Sequence, residues 1–463
     1  MFRDPVQSLE PQPLQPAAVA MRPLRVGMIG LGTVGAGTFR VLARNQALIA
    51  GRAGRGIEVV VVAARNLARA AGVVGTDVAL TNDPMQVATH PDVDVLVEVA
   101  GGTGPAREWV LAAIAAGKHV VTANKALLAV HGSEIFAAAR EHGVAVAYEG
   151  AVAVSIPIVK ALREGLTANR IEWVAGIVNG TTNFILSKMR DEGLDFAEAL
   201  QQAQALGYAE ADPSFDVEGV DAAHKMALLA ANAFGMPVRF ADAQVEGITR
   251  LQGLDVACAE QLGFRIKLLG VARRREDHGV PGIELRVQPA LMPATHLMAQ
   301  VNDSMNGIMV KGDAAGVTMY YGAGAGSEPT ASAVIADLVD VARLDGTLAA
   351  QRVPHLGFQA HAVDDTLAVL PRAAVHTRHY LRVPVHSGEQ TDAVGAWLAT
   401  RQVPVAQVQL AHDQALPPGT PPQVLVLTGA VAQATVDCAV HALAAHPAVA
   451  GPVATLRVEM LEA

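Results

Sequence analysis

The chain has 463 residues, of which 51% are hydrophobic but only 4% aromatic, and it carries a formal net charge of −9. This length predicts two to four domains with ample core, and the acidic balance argues against a nucleic-acid-binding protein. No apolar run reaches the ~20 residues of a membrane-spanning helix. Cys258 and Cys438 are the only cysteines and lack metal-ligand spacing, which fits a reducing, cytoplasmic location.

The first segment, residues 1–21, is rich in proline and glutamine and is predicted to be a disordered tail. It lacks the basic start and continuous apolar core of a signal peptide. Met21 directly precedes the first predicted strand, so the sequence leaves open whether Met1 or Met21 is the start.

A glycine motif follows the strand predicted over 24–29. Residues 30–35 read Gly-Leu-Gly-Thr-Val-Gly, and a helix is predicted over 36–47. Gly30 permits a tight turn, Gly32 lets a pyrophosphate approach the backbone, and Gly35 allows close packing of helix and strand. The motif therefore predicts dinucleotide binding at the start of the helix; the alternative is a glycine-rich turn without a ligand.

The second strand, predicted over 58–64, ends at Arg65 and Asn66, with Arg69 one turn further on. An NAD-selective fold usually has an acidic residue there for the ribose hydroxyls. An arginine suits a 2′-phosphate instead. The position favours NADP over NAD, unless both arginines are simply solvated.

Strands and helices continue to alternate up to residue 150, which predicts a parallel, doubly wound sheet. The strand over 93–99 ends in a loop that contains Gly101 and Thr103. Lys125 follows another strand and falls at the carboxyl edge of the sheet, where ligands of such folds bind. By position alone, a functional lysine and a surface charge are equally good interpretations. Residues 22–150 are thus predicted to form a Rossmann-type domain.

A second, α+β domain is predicted over 151–326. Its polar turn at 179–183 (Asn-Gly-Thr-Thr-Asn) precedes a helix predicted over 184–189. Amides and hydroxyls at a helix start suit a substrate-contacting loop, although N-capping by Thr181 or Thr182 is the simpler alternative.

Four carboxylates and a lysine gather around a helix predicted over 220–234. Residues 207–213 (Gly-Tyr-Ala-Glu-Ala-Asp-Pro) are followed by Asp216, Asp221 and Lys225. Asp221 and Lys225 are four residues apart and share one helix face. Such a pair can hold a polar substrate and move a proton, although an isolated surface pair of this kind is common and weak.

Gly324 and Gly326 precede a helix predicted over 327–343, which we expect to pack back onto the nucleotide domain. The glycines could bring backbone against a cofactor or act as a hinge. Residues 344–375 are predicted to be a linker. The last segment, 376–463, has a βαββαβ pattern with a proline-rich turn at 413–422, which predicts a ferredoxin-like module suited to binding or regulation.

The motifs at 30–35, 122–125, 179–186 and 207–213, with the spacing to Asp221 and Lys225, together resemble homoserine dehydrogenase. The resemblance covers nearly everything after Met21. The C-terminal module is similar to the ACT domain of many bacterial members. The resemblance implies reversible NAD(P)H-dependent reduction of L-aspartate 4-semialdehyde to L-homoserine, a step toward threonine, methionine and isoleucine.

The resemblance also implies roles for individual residues. Lys225 would be the acid/base, Asp221 and Glu210 would hold the substrate's amino end, and Lys125 would lie between nicotinamide and substrate. Thr182 and Gly180 would complete the substrate site. The cofactor would contact the following residues: Gly30, Gly32, Thr33, Val34, Gly35, Arg65, Gly101, Thr103, Lys125, Gly324 and Gly326.

Further implications are a homo-oligomer formed through the second domain and a sodium site made of main-chain carbonyls. The carbonyls map to Glu149, Val152, Val154 and Ile156. Val154 and the following serine replace two glycines of the family pattern, and valine is the stiffer residue. In the ACT-like module, residues 386–390 depart from the usual Asp-Arg-Pro-Gly turn, which leaves open a threonine effector site or a role in assembly.

Two other functions are compatible with a nucleotide fold. An acylating semialdehyde dehydrogenase needs a thiolate nucleophile, but Cys258 has no activating neighbourhood in the sequence. A non-enzymatic sensor would have lost its catalytic groups, whereas Lys125, Glu210, Asp221 and Lys225 are all present.

Overall fold

The computed structural model describes residues 21–277, 280–412 and 416–461. The predicted tail therefore lies outside the described residues, except for Met21, and so does the start of the proline-rich turn, 413–415. The described chain forms two sheets with helices packed on them.

The first sheet is built from the N-terminal part of the chain, where short apolar strands alternate with helices. Its elements are β1 (Leu24–Ile29), α1 (Thr33–Arg44), α2 (Gln46–Ala53), β2 (Ile57–Ala63), α3 (Leu67–Val74), β3 (Ala79–Thr81), α4 (Pro84–Ala88), β4 (Val95–Glu98), α5 (Gly104–Ala115), β5 (His119–Thr122), α6 (Lys125–Glu141) and β6 (Val146–Ala147).

All six strands are parallel, in the order β3-β2-β1-β4-β5-β6. This is the Rossmann order, whose ligands bind where the order reverses, between β1 and β4. The sequence did not predict β3, because its three residues are too short to give a pattern.

The middle part of the chain forms an antiparallel sheet with helices against it. Its elements are α7 (Ile158–Lys160), β7 (Ile171–Ile177), α8 (Gly180–Asp191), α9 (Phe196–Ala205), α10 (Ser214–Val217), α11 (Val220–Phe234), β8 (Gln244–Val245), α12 (Gly253–Gln261), β9 (Phe264–Asp277), β10 (Val280–Pro293), β11 (Met305–Gly312), β12 (Gly316–Ala323) and α13 (Ser327–Arg343).

Two helices of this part, α11 and α13, make the contacts that matter most for the site. Every residue of α11 from Asp221 to Phe234 is buried, so the helix is a central core element and its polar side chains need partners inside the protein. Helix α13 leaves the middle sheet and packs against α1. Its Val334 and Leu338 share an apolar cluster with Met28 and Val97 of the first sheet.

The C-terminal part has the βαββαβ pattern that the sequence predicts. Its elements are β13 (His376–Pro384), α14 (Thr391–Thr400), β14 (Val405–Leu410), β15 (Gln423–Thr428), β16 (Val431–Ala432), α15 (Gln433–Ala444) and β17 (Ala454–Val458). The four main strands lie in the order β17-β13-β15-β14.

This C-terminal sheet is not separate from the middle sheet. Strand β17 pairs in parallel with β10 through Ala290–Arg457 and Leu291–Val458, so the two form one sheet of eleven strands. A pairing between strands so far apart in sequence leaves no local signal in either strand. The segment 344–375, predicted to be a linker, packs against the first and middle parts of the chain. Tyr148 of the first part donates to the His355 carbonyl at 2.7 Å, and Leu370 forms a backbone hydrogen bond with Ile283 of β10.

A buried ionic network holds the β10–β17 junction. Arg286 and Glu284 are fully buried and bond at 2.6 Å, and Arg286 also pairs with Glu459. Arg457 reaches Glu284 at 3.3 Å, and Arg273 reaches Glu459 at 2.7 Å. Breaking a buried pair leaves a buried charge without its partner, so the network stabilises the pairing of β10 with β17.

Among the described ranges, no helix combines the length and apolar character that crossing a membrane requires.

We expect the free energy of unfolding to fall between about pH 7 and about pH 5, partly through His119. Burial, with the charge of Arg352, lowers the pKa of His119 from 6.5 to about 4, and its Nδ1 accepts from the Ala145 amide at 2.9 Å. The unfolded chain therefore binds this proton first as pH falls. His119→Asn keeps an acceptor but cannot titrate, so it should reduce the loss by about 1–2 kcal/mol.

Urea unfolding at the two pH values measures this difference. His142→Asn, at an exposed position, is the matched control. An unchanged pH dependence in His119→Asn would show that His119 does not contribute.

Candidate active site

The turn between β1 and α1 requires glycine at two positions and leaves open space at a third. Gly30 has φ +98°, and a Cβ there would lie 2.8 Å from the Ala100 amide nitrogen. A Cβ on Gly35 would lie 2.1 Å from the Gly30 carbonyl oxygen, whereas a Cβ on Gly32 would meet nothing within 4 Å. The turn is therefore tight on the protein side and open where a phosphate would approach the helix start.

A cleft of about 450 Å³ opens beside this turn. Its lining includes Gly30, Gly32, Gly101, Arg65 and Arg69. Arg65 is exposed just after the end of β2, and no hydrogen bond or ion pair ties its side chain to the described residues. Its guanidinium is therefore available to an anionic ligand.

Buried Glu98, at the end of β4, organises the next loop, and sequence reasoning did not select it. Its Oε1 accepts from the amides of Ala100 and Gly101 at 2.9 and 3.0 Å, and its Oε2 accepts from the Thr122 hydroxyl at 2.8 Å. Asn124 then donates to the Gly102 carbonyl at 2.7 Å. These bonds fix the loops after β4 and β5 at the carboxyl edge of the sheet, and Thr103 follows as the N-cap residue of α5. The only sequence feature that could have indicated the role of Glu98 is its position near the end of a predicted strand.

The loop that contains Gly324 and Gly326 lies against the start of α1. Ser327 donates from Oγ to the Thr33 carbonyl at 2.8 Å, which places the loop next to Thr33 and Val34, the first residues of that helix. Gly326 has φ +127°, and a Cβ on Gly324 would lie 2.2 Å from Asn306. Only glycine fits both positions.

Asp221 joins the two parts of the chain by binding two lysines. Lys225, one turn further along α11, approaches Asp221 Oδ2 with its Nζ at 2.7 Å. Lys125, the first residue of α6 beside the first sheet, approaches Oδ1 at 3.1 Å. Lys225 also donates to the Val178 carbonyl at 2.7 Å. The predicted pair is thus buried rather than a surface ion pair.

Burial is the largest influence on the pKa of each member of this pair. Burial lowers the pKa of Lys225, which the Asp221 carboxylate partly opposes and Lys125 reinforces. Burial alone would raise the pKa of Asp221, but Lys225 and Lys125 outweigh it and hold this pKa below its ordinary value. The cluster therefore combines a fixed anion with a lysine that loses its proton more readily than a solvated one.

Asn179 connects this cluster to the polar turn before α8. Its Nδ2 donates to Asp216 and Asp221 at 2.8 Å each, and its Oδ1 accepts from the Thr182 amide at 2.8 Å. Asn179 is thus the N-cap of α8, which begins at Gly180, earlier than predicted. Asn179 and Asp216 stand in or beside the quoted motifs, but the sequence did not distinguish their roles.

The remaining predicted substrate residues differ in solvent exposure. Thr182 is buried, with its hydroxyl 2.8 Å from Asn179 Oδ1. A Cβ on Gly180 would lie 2.6 Å from the Ser304 carbonyl oxygen. Glu210 is exposed, and its carboxylate bonds to none of the described residues. Its loop is tied to α8 because Thr181 donates to the Tyr208 carbonyl at 2.7 Å.

Comparison with known proteins gives a consistent result. The family model for homoserine dehydrogenase matches residues 157–339, and the model for its NAD-binding domain matches residues 30–149. The homoserine dehydrogenase of Pseudomonas aeruginosa is 53% identical over 445 residues, which cover 95% of this chain and 100% of that protein. The chain belongs to the homoserine dehydrogenase family.

Other homoserine dehydrogenases agree with this assignment. The homoserine dehydrogenase of Neisseria gonorrhoeae is 46% identical, over 95% of this chain and 100% of that protein. A crystal structure of a homoserine dehydrogenase from Thiobacillus denitrificans matches with a TM-score of 0.89 and 52% identity, covering 96% of this chain and 100% of that one. The predicted family and its enzyme class, an NAD(P)-dependent oxidoreductase acting on a CH–OH group, are confirmed.

The residues predicted to hold the family's cation follow β6. Glu149 begins a short 3-10 turn (Glu149–Ala151), and its carboxylate accepts from the Val159 and Lys160 amides at 3.0 and 2.8 Å. Val154 has φ +53°, a left-handed conformation that valine rarely adopts. Glycine would adopt this conformation more easily, and valine adopts it at a cost of about 1–2 kcal/mol.

We expect Glu98→Ala to weaken cofactor binding and to lower the free energy of unfolding by about 2–4 kcal/mol. The substitution leaves two loop amides and the Thr122 hydroxyl without their acceptor. Glu98→Gln retains an oxygen and the side-chain shape, so its effect should be clearly smaller. Urea unfolding and a fluorescence titration with NADPH measure the two effects. Wild-type cofactor affinity in Glu98→Ala would contradict a role for Glu98 in shaping this loop.

Proposed function

We propose that the chain catalyses the reversible NAD(P)H-dependent reduction of L-aspartate 4-semialdehyde to L-homoserine, on the route to threonine, methionine and isoleucine. The observation that carries the proposal is the meeting of Lys125, Asp221 and Lys225. The cluster lies where the edge of the dinucleotide-binding sheet contacts the buried helix α11.

The residues present fit a dinucleotide, since the turn at Gly30, Gly32 and Gly35 is open only on the phosphate side. When bound, NAD(P)H supplies the hydride for the aldehyde carbon. Lys225 gives its proton to the aldehyde oxygen as negative charge develops there, and takes a proton from the hydroxyl in the reverse direction. Burial lowers the pKa of Lys225, which makes its ammonium group a readier proton donor than that of a solvated lysine.

The other cluster residues hold the acid/base lysine and the substrate. Asp221 keeps Lys225 and Lys125 in place and, with Glu210, is proposed to bind the substrate's amino group. The Glu210 carboxylate has no competing partner among the described residues, which suits that role. Gly180 and Thr182 shape the turn beneath the substrate, and Lys125 assists proton transfer at the nicotinamide side.

We propose NADP as the preferred cofactor, because the exposed Arg65 lies in the cleft at the end of β2. We also propose a sodium ion bound by the carbonyls of Glu149, Val152, Val154 and Ile156. The left-handed Val154 supports a cation there, since strained backbone tends to persist at functional sites. No group of three His, Cys, Asp or Glu side chains in the described ranges could hold a metal ion, so the ligands would be main-chain oxygens.

The proposed domains are a Rossmann domain (22–150, completed by 327–343), a substrate and dimerisation domain (151–326) and an ACT domain (376–463). A homo-oligomer formed through the second domain is part of the proposal. L-threonine is the candidate effector at the altered turn 386–390, which serves assembly if threonine has no effect. A cytoplasmic location accords with Cys258 and Cys438, both of which are free.

An acylating mechanism is disfavoured by the state of the buried cysteine. Burial raises the pKa of the Cys258 thiol to about 11, whereas a nucleophilic cysteine needs a lowered pKa.

The proposal is tested by following reduction of NADP⁺ and NAD⁺ by L-homoserine, with and without L-threonine. Turnover supports the reaction, and inhibition by threonine supports the effector assignment. If folded protein supplied with sodium turns over neither cofactor, the sensor interpretation replaces this one.

We expect Lys225→Ala to lose at least about a hundredfold in kcat while the affinity for the cofactor stays unchanged. The variant removes the proton donor but leaves the glycine turn and Arg65 intact. Lys188→Ala, in the surface pair with Glu192, is the matched control and should retain activity. Steady-state kinetics and a cofactor titration separate the two effects. Loss of cofactor binding in Lys225→Ala would place the lysine elsewhere in the mechanism.

We expect Arg65→Ala to weaken NADP⁺ binding roughly tenfold or more, because a charge-assisted bond to the 2′-phosphate is lost. Affinity for NAD⁺, which lacks that phosphate, should stay within about twofold of wild type. Titration of both cofactors measures the ratio, with Arg52→Ala, an exposed residue of α2, as the control. Equal losses for both cofactors would refute selection of the phosphate by Arg65.

A further inference from the structure

We propose that the cavity between the C-terminal and middle parts of the chain binds a small organic carboxylate. The cavity measures about 620 Å³, which lies within the range of small-molecule sites. It is lined by the loop before α12, by β10, and by β13, α15 and β17 of the C-terminal part. Neither Lys225 nor Arg65 lines this cavity. The proposed carboxylate site can therefore be tested independently of the proposed reaction.

Three polar atoms on the cavity-lining side chains have no hydrogen-bond partner among the described residues. They are Thr455 Oγ1, Arg457 Nη2 and His379 Nδ1. Thr455 and Arg457 are two residues apart on β17, so they share one face of the sheet. His379 lies opposite Arg457 in the β13–β17 pairing. Unpartnered buried polar atoms are uncommon in folded proteins. These three belong to neighbouring residues of the cavity lining, but each atom is itself shielded from solvent, so a ligand reaches them only after a small shift of the side chains.

The charge of the lining favours an anion. Four arginines line the cavity against three carboxylates, which are the following residues: Arg250, Arg372, Arg382, Arg457, Glu246, Asp255 and Asp437. Arg382 is matched by Asp255 at 2.8 Å, and Arg372 lies 3.7 Å from Asp437. Arg250 has no ion pair with a described residue, and Arg457 shares Glu284 with two other arginines. Positive charge therefore exceeds what the protein neutralises.

Arg457 is the most buried of these four arginines, and its Nη2 has no partner among the described residues. It is 97% buried, and burial together with Arg286 lowers its pKa to about 10. A carboxylate offers a guanidinium two acceptor oxygens in matching geometry. Gln252 and Gln288 also line the cavity, and their side-chain amides can bond to the rest of such a ligand.

A ligand in this cavity would contact both parts of the chain. Gln252 and Asp255 stand at the start of α12 and bond to Arg382 of β13 at 3.2 and 2.8 Å. Helix α12 packs against α8, which begins beside Asn179 and the lysine cluster. The site therefore has a physical connection to the candidate active site through two packed helices.

Calorimetric titration of the full chain without cofactor tests the proposal with three probes: succinate, L-aspartate and inorganic phosphate. We expect succinate or L-aspartate to bind, and Arg250→Ala to weaken that binding by roughly tenfold. Arg250 is exposed, so its removal does not threaten folding. Arg52→Ala and Glu210→Gln should bind as wild type does. Glu210 is exposed and belongs to the proposed substrate site, so Glu210→Gln distinguishes this cavity from the active site.

Each outcome decides the question. Binding of L-aspartate alone supports recognition of the amino group by Glu246 or Asp437, and binding of both carboxylates supports recognition of the carboxylate itself. Phosphate binding that equals carboxylate binding and survives Arg250→Ala overturns the proposal in favour of an adventitious ion only. Absence of binding by succinate and L-aspartate, or loss of binding only in Glu210→Gln, also overturns it.

Discussion

The contact of Asp221 with two ammonium groups is the interaction on which the candidate site depends. One lysine lies on the same buried helix, and the other begins a helix of the first sheet. A carboxylate inside the protein is stable only if it is paired, so the charge that holds the lysines also joins the two parts of the chain. The geometry of the candidate site and one contact between those parts therefore depend on the same three side chains.

A second network of buried charges stabilises the edge of the middle sheet where the C-terminal part joins it. Glu284, Arg286 and Glu459 fix the edge where β17 joins β10. A pairing of only two residues would be weak alone, but the ionic bonds and the adjoining apolar contacts make the C-terminal strands an extension of the middle sheet. Movements of the C-terminal part are thus transmitted through backbone pairing rather than through a flexible tether.

The sequence predicted the parts whose chemistry is local. The glycine turn at 30–35 and the pair Asp221 and Lys225 depend on residues a few positions apart, and their spacing alone indicates their geometry. Glu98 was not selected, and the role of Asn179 within its motif was not recognised, because both roles arise from bonds to residues that only the fold brings near. The β10–β17 pairing escaped for the same reason, since neither strand carries a pattern that names its partner.

The position of α13 has a consequence for how the protein is made. Its residues 327–343 cover one face of a sheet whose last strand ends at Ala147. During synthesis, nearly two hundred further residues must leave the ribosome before that covering helix is available. Until then the apolar side chains around Met28 and Val97 lack part of their packing. A fragment that stops near residue 150 would leave this surface open to aggregation. The dinucleotide-binding fold is therefore complete only after α13 has packed against α1.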